Sequence, residues 1–145
     1  MTDPNHTRFT KIDANGKPLP ADATKWDAVA DSKTGLMWTV AEKKAANWEA
    51  ADKAASAMSA GGFDDWRLPT VEELFLLADR TRNAPAIDTA FFPKCKSDWY
   101  WTSTAWAPSP GAYAWGVGFG GGDAYHGVLV SYGFVRAVRS MGENE

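Results

Sequence analysis

Few side chains in this sequence are suited to reaction chemistry, and none stands in a catalytic spacing. Its two histidines are far apart, His6 in a polar N-terminal stretch and His126 among glycines and tyrosines. Cys95 lies between Lys94 and Lys96, whose charges are expected to lower the pKa of a thiol. It is the only cysteine, so no redox pair or internal disulfide can form. Asp64 and Asp65 are adjacent, yet acid–base work needs both carboxylates to face one cleft, and acids beside a turn read as solvated. Gly120-Gly-Gly122 lies between strand-like segments and opens no helix, so it does not form a phosphate loop. The reading is of a non-enzyme with no catalytic residues, no metal and no cofactor.

The chemistry left is that of contact. Trp106, Tyr113, Tyr125, His126 and Tyr132, with Ser109, Asp123 and Ser131 around them, lie in loop-like sequence rich in Gly, Ser and Pro. Tyr and Trp supply rigid amphipathic contact area, and Gly and Ser let a backbone approach closely. Aromatic faces also stack on sugar rings, so protein and glycan ligands both fit. The expected ligand-binding residues are Trp106, Tyr113, Asp123, Tyr125, His126, Ser131 and Tyr132.

Positioning these groups falls to a set of strands and two helices. Tyr100–Trp106, Ala114–Phe119, Tyr125–Val130 and Phe134–Val138 read as strands, separated by turns at Gly120–Asp123 and Tyr132-Gly133. Trp115, Val117 and Phe119 alternate against Ala114, Gly116 and Gly118. Trp101, Val135 and Val138 join the first of these sets as frame. Upstream, Phe9–Ile12 reads as a short edge strand, and Leu36–Val40 as a buried one after the Asp31–Gly35 turn. Asn47 is an N-cap for a helix from Trp48 to about Ala60, with Trp48, Ala51, Ala55 and Met58 on one face and Gly61-Gly62 as the stop. Thr70-Val-Glu-Glu73 is a capping box for a second helix, whose buried stripe is predicted to be Val71, Leu74, Phe75 and Ala78. The linker Phe63–Pro69 is short and aromatic and is expected to pack, with Trp66 buried and Arg67 bonded to backbone carbonyls. Ile87, Phe91 and Phe92 are predicted anchors. Arg136 and Arg139, at strand ends, are expected to pair with carboxylates or carbonyls. Two helices followed by antiparallel strands indicate an α+β domain.

The 145 residues fit one domain, 1–145, with 1–24 as a polar N-terminal extension. Net charge is −3 and the acids and bases are mixed without a basic stripe, which excludes nucleic acid as an expected partner. The N-terminus lacks the apolar core of a signal peptide, and no apolar run approaches membrane-spanning length. A cytoplasmic location is expected, or a virion-associated one if the chain is phage-encoded. Eight tryptophans are many for this length, and most are expected in the core.

Seven segments in order carry a family resemblance: Thr34–Trp38, Asp65–Leu74, Pro85–Asp88, Phe91–Pro93, Tyr100–Thr104, Ala114-Trp115 and Val135–Arg139. From about Thr34 to Arg139 the chain resembles the DUF1566, or Lcl C-terminal domain, family. The resemblance implies a C-type-lectin-like fold, with two helices on a small, mainly antiparallel, twisted sheet and long loops. It also implies kinship with formylglycine-generating enzymes and with the variable proteins of diversity-generating retroelements. In that variable branch the segment matching Ala105–Phe134 displays the ligand contacts. Here it contains no asparagine, unlike a diversified segment. Many C-type lectins hold a sugar through calcium, but Asp123 is the lone carboxylate of this segment, and one carboxylate cannot build that site. Asp13, Asn15 and Asp31 are not ligand-spaced either.

The expected function is therefore a receptor-binding or adhesion-type module for a protein or glycan ligand, using the surface of residues 105–134, with homo-oligomerisation open to it. The alternative is an intracellular protein-binding effector or inhibitor, such as a phage product that blocks a host factor. A degenerate relative of the formylglycine-generating oxidases is disfavoured by the missing cysteines.

Overall fold

Two sheets divide the strands. The computed structural model describes residues 8–142, so His6 lies outside the described residues. The first sheet joins β1 (Phe9–Ile12), β2 (Ala28–Asp31), β3 (Leu36–Thr39) and β9 (Val138–Ser140), in that order and all antiparallel. Its turns are fixed by acids and glycine. Asp13 accepts the Asn15 and Lys17 amides ahead of β2. Asp31 accepts the Lys33 amide and holds Arg8 at 2.9 Å, and Gly35, at φ 72°, completes the β2–β3 turn.

The second sheet has the order β4-β8-β5-β6-β7, from β4 (Lys43–Ala45), β5 (Trp99–Ala105), β6 (Tyr113–Gly118), β7 (Asp123–Val128) and β8 (Gly133–Val135). Its pairings are antiparallel except β5 with β8, which run parallel. Helix α1 (Trp48–Ser56) and helix α2 (Val71–Leu77) complete an α+β architecture among the described residues. The strands form two sheets, where the sequence reading had one.

That division corrects a second expectation. Phe134–Val138 is not one closing strand, because β8 ends at Val135 and the chain changes sheets before β9. Thr39 makes the change possible: its hydroxyl accepts the Ala137 amide, and its own amide donates to the Ala137 carbonyl. The buried guanidinium of Arg136 sits at the same crossing, bonded to the Thr39 carbonyl and ion-paired with Glu42. Arg139 is paired with Asp65 at 2.7 Å. Asp65 is thus engaged by a cation rather than simply solvated.

Both helix caps form as the sequence requires. Asn47 accepts the Ala50 amide at 2.8 Å, and the Thr70–Glu73 capping box closes in both directions. Helix α1 stops at Ser56, short of Ala60, and Gly61 and Gly62, both at positive φ, serve the turn of the Ala60–Phe63 bridge instead. On α2 the buried residues are Leu74 and Leu77, followed by Ala78, while Phe75 is exposed. Arg80 covers that ring at 3.6 Å. Arg67 also departs from expectation: it grips Glu73 with two bonds of 2.8 and 2.9 Å instead of carbonyls.

The second sheet is buried on both faces over its centre. Tyr100, Val117 and Phe119 pack with Leu74 and Leu77 of α2 and with Phe9, Trp38 and Val138 of the first sheet. Trp101, Ala114 and Val135 pack on the other side with Ala51 and Ala55 of α1. Of the tryptophans, Trp38, Trp66 and Trp101 are buried; the others are half-buried, fewer in the core than expected. Cys95 is half-buried, and burial pushes its thiol up, against the pull of Arg136 and Tyr100, so it is not an activated nucleophile.

Candidate functional site

The Trp101-Thr-Ser-Thr104 segment holds the frame of the site through its polar atoms. Thr102 donates to the Trp115 carbonyl at 2.6 Å, and its own carbonyl accepts the Trp48 indole. A break in the β5–β6 register between Trp101 and Ala105 frees the next two residues. The Ser103 amide donates to Pro69, and the Thr104 hydroxyl accepts the Val71 amide at the start of α2. Helix α2 is thereby tied to one face of β5, and β6 and β7 extend beyond it.

β7 is the edge strand of the sheet, and its side chains alternate between two surfaces. On the α2 side, Trp115 pairs with His126 and Tyr113 with Val128 in the β6–β7 register. Trp106, just past β5, donates its amide to the Tyr113 carbonyl and lays its indole on the His126 ring, 4.1 Å apart and 17° from parallel. Tyr113 meets both rings edge-on, at 5.4 and 5.3 Å. His126 is exposed and Trp106 and Tyr113 are half-buried, so this cluster faces solvent. It adjoins a mostly apolar depression of about 340 Å³ walled by Val71, Glu72, Phe75, Thr104, Trp115 and Ala124.

Tyr125 and Asp123 lie on the opposite, α1 side. Tyr125 packs against Trp99 with ring centroids 4.4 Å apart. Trp99 in turn lies on a bed of glycines: a Cβ at Gly116, Gly127 or Gly133 would come within 2.3, 2.8 or 2.6 Å of its indole. A Cβ at Gly118 would press on Tyr125 at 3.2 Å. Burial, and then the carboxylates of Asp98 and Asp123, push the Tyr125 phenol above its ordinary range. These groups open on a cleft of about 220 Å³.

Ser131 and Tyr132 stand apart from both groups, in the β7–β8 connection. Tyr132 is exposed, with the Lys44 ammonium 4.7 Å from its ring centroid. The preceding residues, Leu129 and Val130, border a groove of about 580 Å³ whose other walls include Trp48, Glu49, Asp52 and Ser103. Val130 is 80% exposed. The seven expected residues thus form one true cluster of Trp106, Tyr113 and His126, a second group of Asp123 and Tyr125, and an outlying pair.

Residues 27–139 match the family described as the Lcl C-terminal domain. The chain belongs to that family. The match begins just before β2 and runs into β9, so it takes in both helices and the whole second sheet, and starts earlier than the motifs at Thr34 indicated. No curated protein matches the chain.

Within this Lcl C-terminal domain, sequence reasoning passed over Trp99, Asp98, Phe75 and Val130. A signal for Trp99 was available. Gly116 and Gly118 alternate with Trp115 and Val117 along one predicted strand, and glycines on one face of a strand mark the close approach of something large. Phe75 was missed because helical periodicity alone placed it on the buried stripe. Among the described residues no group of three or more His, Cys, Asp and Glu side chains is placed to hold a metal ion. No helix among them is long and apolar enough to cross a membrane.

Proposed function

We propose that this domain is a non-enzymatic ligand-binding module of the receptor-binding or adhesion type, built on a C-type-lectin-like frame. The observation that carries the reading is the solvent-facing cluster of Trp106, Tyr113 and His126 on the edge of the second sheet. Rigid rings held by a buried frame, with apolar neighbours and an open strand edge, are suited to recognising a protein or a glycan. The His126 ring packs among the rings of Trp106, Tyr113 and Trp115, as a contact residue does. Burial pushes both the Cys95 thiol and the Tyr100 phenol above their ordinary values, which does not favour a nucleophile at either.

The test uses the immobilised full chain against a glycan array and against extract of the native host. The doubly substituted Trp106→Ala/His126→Ala chain should lose what the wild type retains, while keeping its melting temperature to within about 4 °C, as changes outside the core do. Full retention of the ligand by that variant would sink the reading. Specific capture of a host cytosolic complex, with no glycan signal, would favour an intracellular effector over an adhesin.

A further inference from the structure

We propose that the cleft beside Tyr125 is a subsite for an alkylammonium group, the head of a lysine side chain on a protein partner. This rests on the ligand-binding reading above and names one chemistry the surface recognises. The cleft, of about 220 Å³, is walled by Ser97, Asp98, Trp99, Gly118, Asp123 and Tyr125.

Two carboxylates beside a turn would by themselves be solvated acids. What makes this place a site is the aromatic platform between them. Trp99 cannot sink further into the sheet, because it already occupies the space that side chains at Gly116, Gly127 and Gly133 would need. Tyr125 lies against it at 4.4 Å and is 48% exposed, so the pair presents ring surface at the cleft. A cation is attracted to such faces by the ring quadrupole, most strongly to Trp.

The charged groups at the cleft are both carboxylates. Asp98 accepts the Trp99 amide at 2.8 Å, which fixes its carboxylate at the rim. Neither Asp98 nor Asp123 has an ion-pair partner among the described residues, whereas Asp31, Glu42, Asp65 and Glu73 each hold an arginine. A neutral sugar ring would leave both carboxylates without a counter-charge, and a calcium ion asks for six to eight oxygens. An ammonium offers three donors and no acceptor, which matches two separate carboxylates over a π surface. A guanidinium instead favours a single carboxylate engaged side-on.

The experiment titrates the full 15N-labelled chain with Nα-acetyl-lysine methylamide and follows the Trp99 indole N–H, assigned with Trp99→Phe. A saturable shift is expected, weakened about tenfold in Asp98→Asn/Asp123→Asn, whose fold is checked by thermal melting. The norleucine analogue, which keeps the four-carbon stem but lacks the ammonium, should leave the indole unmoved. The inference is overturned by no saturable shift, by an equal response to norleucine, by undiminished binding in the double-Asn variant, or by tighter binding of the arginine analogue or of methyl glycosides. Its failure is separable from that of the parent reading. If the lysine probe fails while Trp106→Ala/His126→Ala still abolishes capture, only the ammonium assignment falls.

Discussion

Trp99 shows how much of the candidate surface depends on what is missing beside it. Its indole fills the space over Gly116, so a methyl group there must displace either the ring or the strand. Gly116→Ala is expected to cost about 1–3 kcal/mol in denaturant unfolding, the usual range for overpacking. A neutral result would mean that the ring moves freely and is no fixed platform. At this scale the sequence was partly legible. The contact aromatics were named from composition, and each of Trp106, Tyr113, Tyr125 and Tyr132 keeps exposed or half-exposed surface. Their distribution over two faces was not legible, because it depends on the β6–β7 register, which pairs Trp115 with His126 and Gly116 with Tyr125. Sequence alone fixes alternation along a strand but not which strand lies opposite.

Among the elements, α2 carries the clearest local signal and the clearest pH dependence. Burial alone would raise Glu73, but its bonds to Arg67 and to the Thr70 amide outweigh that and hold it below the ordinary value. The Arg139 bond lowers Asp65 as well. A carboxyl lowered in the folded state binds its proton more readily in the unfolded chain. Its stabilisation is therefore complete above the unfolded value, about 4, and is lost as pH falls through the folded one. Glu73→Gln keeps a side chain able to close the capping box but cannot titrate. Its melting temperature should fall less between neutral and acid pH than that of the wild type; an unchanged acid slope would remove Glu73 from the account. Helix starts were readable because caps are written in single residues. Helix ends and the β8–β9 break were not, since Gly61-Gly62 serves a turn and the break depends on Thr39, distant in sequence.

Across the whole molecule, the Glu42–Arg136 pair joins the two sheets where the chain crosses between them. Burial raises Glu42 despite Arg136, so this one group favours the folded state less as pH rises through the carboxylate range, opposite in sign to Glu73. Arg136→Met leaves Glu42 buried without its cation and is expected to cost about 3–5 kcal/mol. Adding Glu42→Leu should restore most of that loss, and a double variant as unstable as the single would show that the cost lies in packing instead. The family and the α+β class were legible in the sequence because seven short motifs mark structural joints, from the α2 cap to the arginines at the sheet crossing. The division into two sheets was not, since it rests on pairings between residues far apart in the chain.

The central claim, that the edge of the second sheet is where this domain meets its ligand, is tested most directly by amide hydrogen exchange of the wild-type chain with and without the ligand it captures. Slowed exchange concentrated in residues 106–128 is the predicted footprint. Protection confined to the first sheet, residues 9–12 and 28–39, with β6 and β7 unchanged, would contradict it.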